Sequence, residues 1–274
     1  MNWVIVVIVL IIIGFLLDRE IYFYEGAHLG HRLQSRLYDR WSRKYDVSKR
    51  ESQLHDDAML AQPLLDQLNA VPEPFILDFA TGTGRLSLAL LRRPDFNGQI
   101  IALDISEGML EQAASKLNPY LDHVELLRHR SMPLPFPDAT FDAVCCLEVL
   151  ELLPDTQAAL KEMSRLLRPG GILLTSRGTE ESGRKAKVKS EAELTSLLQA
   201  SGFENILITK WWKWFDRVFA NKAGTSAPAG IKPFMDVLRC SQCGQISWRR
   251  SANTVQCSAC GNHLSVTDKG IVLN

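Results

Sequence analysis

A doubly wound α/β fold is the architecture this sequence predicts, on three observations. Between residues 75 and 222, apolar β-prone runs alternate with helical patterns, which implies a parallel sheet covered on both faces. A glycine turn, Ala80-Thr81-Gly82-Thr83-Gly84, directly follows the first of these runs. An acid, Asp104, ends the next run, twenty positions after Gly84. Strands are expected near 75–80, 100–105, 124–129, 141–147, 171–176, 203–212 and 214–222, with helices near 84–93, 107–117, 156–167 and 190–201. The last two strands are close enough in sequence to form a hairpin.

The first unit justifies itself residue by residue. Phe75-Ile76-Leu77 is apolar and β-prone, Gly82 and Gly84 permit a tight turn with close backbone approach, and Leu86, Leu88, Ala89, Leu90 and Leu91 begin a helix. Strand, glycine turn and helix start, followed by an acid at the end of the next strand, read as a nucleoside-binding unit in which Asp104 meets a ribose. The third glycine of the dinucleotide fingerprint would fall at position 87, where Ser87 stands. That disfavours NAD and FAD, whose pyrophosphate needs the full glycine set at a helix N-terminus. Cys145 and Cys146 lie in the apolar run Phe141 to Val149 and are expected as buried strand residues.

The segment Asp78-Phe79-Ala80-Thr81-Gly82-Thr83-Gly84-Arg85, with Leu103-Asp104-Ile105-Ser106 downstream, resembles the first two motifs of class I S-adenosylmethionine-dependent methyltransferases. Leu134-Pro135-Phe136-Pro137-Asp138-Ala139-Thr140-Phe141-Asp142 is similar to the family's loop into strand 4, and Leu166-Leu167-Arg168-Pro169-Gly170-Gly171-Ile172-Leu173-Leu174 to its passage into strand 5. The resemblance covers roughly residues 72 to 222 and is greatest to the ubiquinone and menaquinone methyltransferase branch. It implies a Rossmann-like seven-stranded sheet with an antiparallel seventh strand, and S-adenosylmethionine as cofactor. Backbone groups of Ala80, Thr81, Gly82 and Gly84 would then take the methionyl part, and Asp78 its ammonium. Asp104 would accept the ribose hydroxyls, Ile105 would cover the adenine, and Leu147 and Glu148 would face the transferring methyl group. Many relatives carry Gly-Asp-Ala ahead of the Leu-Pro-Phe-Pro segment, with the Asp accepting the adenine amino group; here the positions read His129-Arg130-Ser131. Arg130 cannot accept a hydrogen bond, which leaves that task to Ser131 or a backbone carbonyl. No catalytic base is evident; Glu148 is the candidate, with Glu151, His55 and His28 behind it.

Residues Trp3 to Leu17 contain no charged side chain and would make about 22 Å of apolar helix. With Tyr22, Phe23 and Tyr24 as interfacial residues, this predicts an uncleaved single-pass membrane anchor over 1–24. A secretory signal would need a basic start and a small-residue cleavage site, and neither is present. Arg32, Arg36, Arg40, Arg43, Lys44, Lys49 and Arg50 follow the segment, so the positive-inside tendency places the catalytic domain in the cytoplasm. Residues 25–71 are expected as a juxtamembrane helical segment, with Leu33, Leu37, Trp41 and Tyr45 as its buried stripe, set either on lipid or on the α/β core.

At the other end, Cys240, Cys243, Cys257 and Cys260 form two C-x2-C pairs thirteen residues apart, each followed by glycine. Four thiolates at this spacing suit a tetrahedral Zn²⁺, and iron would accept the same geometry. A zinc ribbon is therefore expected over 232–274, after a linker at 223–231 and a methyltransferase domain at 72–222. Disulfides are disfavoured by the cytoplasmic placement.

The chain has 274 residues with 31 basic and 31 acidic side chains, and a net charge of zero argues against a general nucleic-acid binder. Arg184, Lys185, Lys187 and Lys189 make a local basic patch. The first functional expectation is a membrane-anchored methyltransferase acting on a small-molecule or lipid-like acceptor. The second is an RNA or protein methyltransferase recruited through the ribbon, with Arg239, Trp248, Arg249 and Arg250 as a basic-aromatic patch. The third is a non-catalytic scaffold of the same fold.

Overall fold

Seven strands form the expected sheet in a computed structural model that describes residues 2–182 and 189–274. Arg184, Lys185 and Lys187 of the basic patch lie outside the described residues. The strands are β1 Phe75–Phe79, β2 Gln99–Asp104, β3 Val124–Arg128, β4 Phe141–Cys146, β5 Leu167–Gly178, β6 Phe203–Trp212 and β7 Phe215–Lys222. Their order is β6-β7-β5-β4-β1-β2-β3. β1 to β5 are parallel to one another, and β7 runs antiparallel between β5 and β6. Every residue of β1 and β4 is buried, including Cys145 and Cys146, as central parallel strands covered on both faces require.

Helices cover the two faces. α4 (Arg85–Leu91) and α5 (Glu107–Leu117) send Leu86, Leu90, Leu110, Ala113 and Leu117 into one core, with Ile76, Ile100 and Ala102. α6 (Thr156–Leu166) and α7 (Glu191–Ala200) send Leu160, Met163, Leu166, Leu194 and Leu198 into the other, with Leu77, Leu103 and Val144. Side-chain caps start three of these helices: Ser106 accepts from Met109 N–H, Asp155 from Ala158 N–H and Ser190 from Glu193 N–H.

Ahead of the sheet come α1 (Asn2–Asp18), α2 (His31–Gln53) and α3 (Gln62–Gln67). The apolar side chains of α1 from Trp3 to Leu17 are between 42% and 72% exposed. The helix ends at Asp18 after 17 residues and continues as a π turn carrying Arg19 and Glu20. At that length it spans about 25 Å, short of a hydrocarbon core of about 30 Å. Among the described residues no helix is long and apolar enough to cross a membrane. The single-pass membrane localisation expected from this segment is thereby corrected, together with the cytoplasmic orientation argued from the basic residues after it.

α2 crosses α5 and roofs the C-terminal ends of β1, β2 and β4. Its buried side chains are polar, namely Gln34, Ser35, Ser42 and Ser52. Leu37, Trp41 and Tyr45 are half-buried and Leu33 is exposed, so the expected apolar stripe gives way to a hydrogen-bonding one. Asp39 Oδ1 accepts from Ser106 Oγ at 2.6 Å and from Gly108 N–H at 2.9 Å. Ser35 Oγ donates to the Ile105 carbonyl, and Asp46 takes Thr83 Oγ1 and Lys116 Nζ. Gly108 makes the close crossing possible, because a Cβ there would lie 2.9 Å from Asp39 Cα. Gly108→Leu is therefore expected to lift α2 and to cost about 1–3 kcal/mol in chemical denaturation; an unchanged midpoint and slope would contradict the docking.

The C-terminal segment lengthens the same sheet. β8 (Trp248–Arg250), β9 (Thr254–Cys257), β10 (His263–Val266) and β11 (Val272–Leu273) follow β3 in the order β11-β10-β9-β8. β11 pairs in parallel with β3 through Val272 with Leu127 and Leu273 with Arg128. Phe234, Val237, Leu238, Val255, Leu264 and Val266 join the core that contains Leu134, Phe136 and Phe141. Two backbone bonds fasten the junction, from Arg239 N–H to the Pro135 carbonyl at 2.7 Å and from Asn274 N–H to the Arg128 carbonyl at 3.0 Å.

Candidate active site and metal centre

The turn after β1 uses left-handed backbone at Ala80, Gly82 and Gly84, with φ of 56°, 56° and 76°. Gly84 caps α4 and sits against α5, where a Cβ would lie 3.1 Å from Ala113 Cβ. Asp78 is fully enclosed behind this turn. Its Oδ2 accepts from Thr81 Oγ1 and Ser87 Oγ, both at 2.7 Å, and burial raises its pKa against those two donors. Ser87, which disfavours a dinucleotide in the sequence pattern, is thus a staple of the turn.

Asp104 ends β2 with both carboxylate oxygens on backbone donors, Oδ2 on Gly82 N–H and Oδ1 on Ser106 N–H, each at 2.8 Å. Burial pushes its pKa up to about 6, against the opposing pull of these N–H groups. Each oxygen keeps a second lone pair for a ligand hydroxyl. Asp104 therefore both shapes the glycine turn and faces the space in front of it.

That space is a cavity of about 270 Å³ beneath α2. Ala80, Gly82, Asp104, Ile105, Ser131, Leu147 and Glu148 all line it, as do Arg130 and His129. Asp78, Thr81 and Gly84 are not in its wall; they form the turn behind it. Leu134, Val149, Leu152, Leu153, Pro154 and Ala158 add apolar side chains to the wall. The roof brings His31, Gln34, Tyr38 and Tyr45 into the wall. Tyr45 is expected over the cofactor from the Tyr45-Asp46 pair that related enzymes carry in their N-terminal helical cover, whereas His31, Gln34 and Tyr38 have no such signal in the sequence. The signal available was Ser35, Asp39, Ser42 and Asp46 at helical spacing, which marks the face of α2 turned to the glycine turn and α5.

Glu148 has left-handed backbone (φ 59°) and its N–H donates to Ser176 Oγ. Its Oε1 takes Arg85 Nη1 at 2.9 Å and its Oε2 takes Lys49 Nζ of α2. Arg85 is itself chelated by Asp56 and lies over the Trp211 ring. Each oxygen of Glu148 is thus engaged by one cation. Arg130, also in the wall, places its Nε on the Ile105 carbonyl at 3.3 Å and its Nη2 on Ser35 Oγ at 3.2 Å. Of the other base candidates, Glu151 accepts from Gly178 N–H and His28 Nδ1 pairs with Glu20; neither they nor His55 line the cavity.

The ligand atoms of Cys240, Cys243, Cys257 and Cys260 lie within 4.8 Å of one another. Cys240 Sγ is 3.6 Å from Cys260 Sγ, and Cys243 Sγ 3.7 Å from Cys257 Sγ. Those separations are too long for a disulfide and match the edge of a tetrahedron with metal–sulfur bonds of about 2.3 Å. Asn262 Nδ2 approaches Cys240 Sγ at 3.5 Å. Of the basic-aromatic residues expected beside the cysteines, Arg239, Arg249 and Arg250 are exposed and Trp248 is half-buried. Trp248 Nε1 donates to the Leu238 carbonyl and Arg250 pairs with Glu125.

A sheet of this order, with a glycine turn after β1 and an acid ending β2 under a helical roof, defines a nucleoside-cofactor domain of the methyltransferase class. Residues 76–171 match a family model described as a methyltransferase domain. A demethylmenaquinone methyltransferase of Desulfitobacterium hafniense is 33% identical over 136 residues, 49% of this chain and 54% of that protein. A ubiquinone/menaquinone biosynthesis C-methyltransferase of Hahella chejuensis is 31% identical over 142 residues, 51% of this chain and 57% of that protein. The chain thus spans little more than half the length of these curated relatives. The crystal structure of an S-adenosylmethionine-dependent methyltransferase from Aquifex aeolicus shares the fold, with a TM-score of 0.56, 22% identity, and coverage of 68% of this chain and 98% of that one. Residues 76–171 thus form a methyltransferase domain, and the fold is that of class I S-adenosylmethionine-dependent methyltransferases.

The Asp104 carboxyl gives this site a pH signature. In the ribose-binding role expected of Asp104 the ionised carboxylate is the better acceptor, and that form is lost as pH falls through about 6. Cofactor affinity is therefore expected to be level above that pH and to drop about tenfold per unit below it, measured by calorimetry between about pH 8 and about pH 5. An affinity that stays flat across the range contradicts this role for Asp104.

Proposed function

We propose that this protein transfers a methyl group from S-adenosylmethionine to a small, largely apolar acceptor in the cavity beneath α2. The observation that carries the reading is the polarity of that one cavity. Asp104 and the glycine turn give it polar groups suited to a nucleoside, and Leu147, Val149, Leu152, Leu153 and Pro154 give it apolar wall. The quinone-methylating relatives support an aromatic acceptor, such as a hydroxylated naphthalene or benzene ring.

S-adenosylmethionine, when bound, supplies a methyl group already activated on a sulfonium. The chain then has to bind, orient and exclude water. Asp104 would accept the ribose hydroxyls, Ala80 and Gly82 would pass close to the methionyl part, and Ile105 would cover the base. Leu147 would sit beside the reacting centre. The Lys49–Glu148–Arg85 bridge would keep α2 closed over it, which makes Glu148 a positioning residue in the paired state. The four thiolates would hold Zn²⁺ as a structural ion, since all four coordination positions are taken by sulfur. No second reading has a specific observation in its favour.

Incubating the purified full chain with methyl-labelled S-adenosylmethionine and a panel of hydroxylated naphthalenes and benzenes tests the proposal. Label is expected in the small-molecule extract. Label found only in protein or nucleic acid, or in nothing, would contradict it.

A further inference from the structure

α2 presents two faces of opposite character. Ser35, Asp39 and Asp46 dock one face on the core through bonds to Ile105, Ser106, Gly108 and Thr83. On the other side Arg32, Arg36, Arg40, Arg43, Lys44 and Arg50 are all exposed. Arg32, Arg36, Arg40, Arg43, Val47 and Arg50 follow one another at steps of three or four residues, so they form a single stripe about 27 Å long, with Leu33 and Lys44 beside it. None of the six cations has an acidic partner among the described residues. Elsewhere on the surface Arg93 pairs with Asp95, Arg165 with Asp138 and Arg250 with Glu125. Asp39 and Asp46 are engaged in the docking, and Glu51 is the single exposed acid of α2. A chain whose charges sum to zero thus gathers a field of one sign on the outside of its roof.

The composition of that face says what it meets. Unpaired guanidinium and ammonium groups in a row suit phosphate oxygens. Leu33 and Val47, 47% and 78% exposed, stand among them, and an interface of headgroups and acyl chains takes both kinds of side chain. Trp41 and the two tyrosines of α2 are half-buried, so the face has no exposed indole or phenol ring on which an unpaired base could stack. We infer that the outer face of α2 docks on a bilayer surface of anionic phospholipid, with headgroup phosphates on the six cations and Leu33 and Val47 set between them. The contact lies at the surface and needs no segment to cross. Because α2 is also the roof of the cavity, with His31, Gln34, Tyr38 and Tyr45 in its wall, docking brings the cavity within about one helix diameter, roughly 10 Å, of the phase into which an apolar acceptor partitions.

Co-sedimentation of the full chain with vesicles tests this without any methyl donor, so its outcome is independent of the proposed activity. Vesicles of phosphatidylcholine mixed with phosphatidylglycerol should bind the chain at least about tenfold more tightly than phosphatidylcholine alone. Raising the ionic strength from about 0.1 M to about 1 M should remove the difference, as the screening length falls from about 10 Å to about 3 Å. The triple variant Arg36→Gln, Arg40→Gln, Arg43→Gln should bind the mixed vesicles about 100-fold more weakly. Removing three exposed cations elsewhere, with Lys161→Gln, Lys213→Gln and Arg249→Gln, should leave binding unchanged. Melting curves establish that both triple variants are folded. Equal binding to the two kinds of vesicle, no binding to either, an undiminished affinity in the α2 variant, or equal losses in the two variants overturns the inference. Tighter binding to single-stranded RNA than to the mixed vesicles overturns it as well.

Discussion

Replacing Asp104 by alanine should abolish measurable binding of S-adenosylhomocysteine, with an affinity loss of at least about 100-fold. Two effects combine. The ribose loses a carboxylate able to take both hydroxyls, and charge-assisted bonds of that kind contribute about 1.5–3 kcal/mol each. The loops also lose their tie, because Gly82 N–H and Ser106 N–H both end on this side chain. Asp104→Asn keeps the size but sets an amide NH2 against either Gly82 N–H or Ser106 N–H, so it should loosen one of the two ties and lower binding by an intermediate factor. Calorimetry alongside circular dichroism gives both readouts, and near wild-type affinity in a folded Asp104→Ala would remove the acid from the site.

The second large effect concerns the four cysteines. Chelation of the metal, or Cys257→Ser, should lower the melting temperature by about 10 °C or more and weaken cofactor binding about tenfold. β8 to β11 are two to four residues long and cannot form a stable sheet without a staple. Their loss reaches the cavity by two routes. β11 pairs with β3, immediately ahead of His129, and Arg239 holds Pro135 beside Leu134 of the wall. Elemental analysis should find about one zinc per chain. A chelated protein with unchanged melting and unchanged binding would show that the thiolates carry no structural metal.

Short-range patterns made much of the fold legible. The β1 turn, Asp104 and the two C-x2-C pairs are each contained in a few consecutive residues whose chemistry is distinctive, and alternation of strand and helix ordered the sheet. What stayed hidden depends on distant partners. The junction of Leu127 with Val272 joins residues far apart in sequence, and nothing in the short run Ile271-Val272-Leu273 says which edge it will seek. The roof was misjudged because hydrophobic periodicity directs attention to Leu33 and Leu37, whereas Ser35, Asp39 and Asp46 make the docking bonds. Trp3 to Leu17 suggested a span by composition, but the helix stops at Asp18. Glu148 was recognised by position, and only the fold reveals that Lys49 and Arg85 occupy its oxygens.

A crystal structure of the full chain with S-adenosylhomocysteine tests the central claim most directly. The ribose hydroxyls should lie on Asp104, the adenine against Ile105, and the sulfur towards Leu147, all beneath α2. A nucleoside bound elsewhere, or a cavity from which α2 excludes it at saturating concentration, would contradict the account.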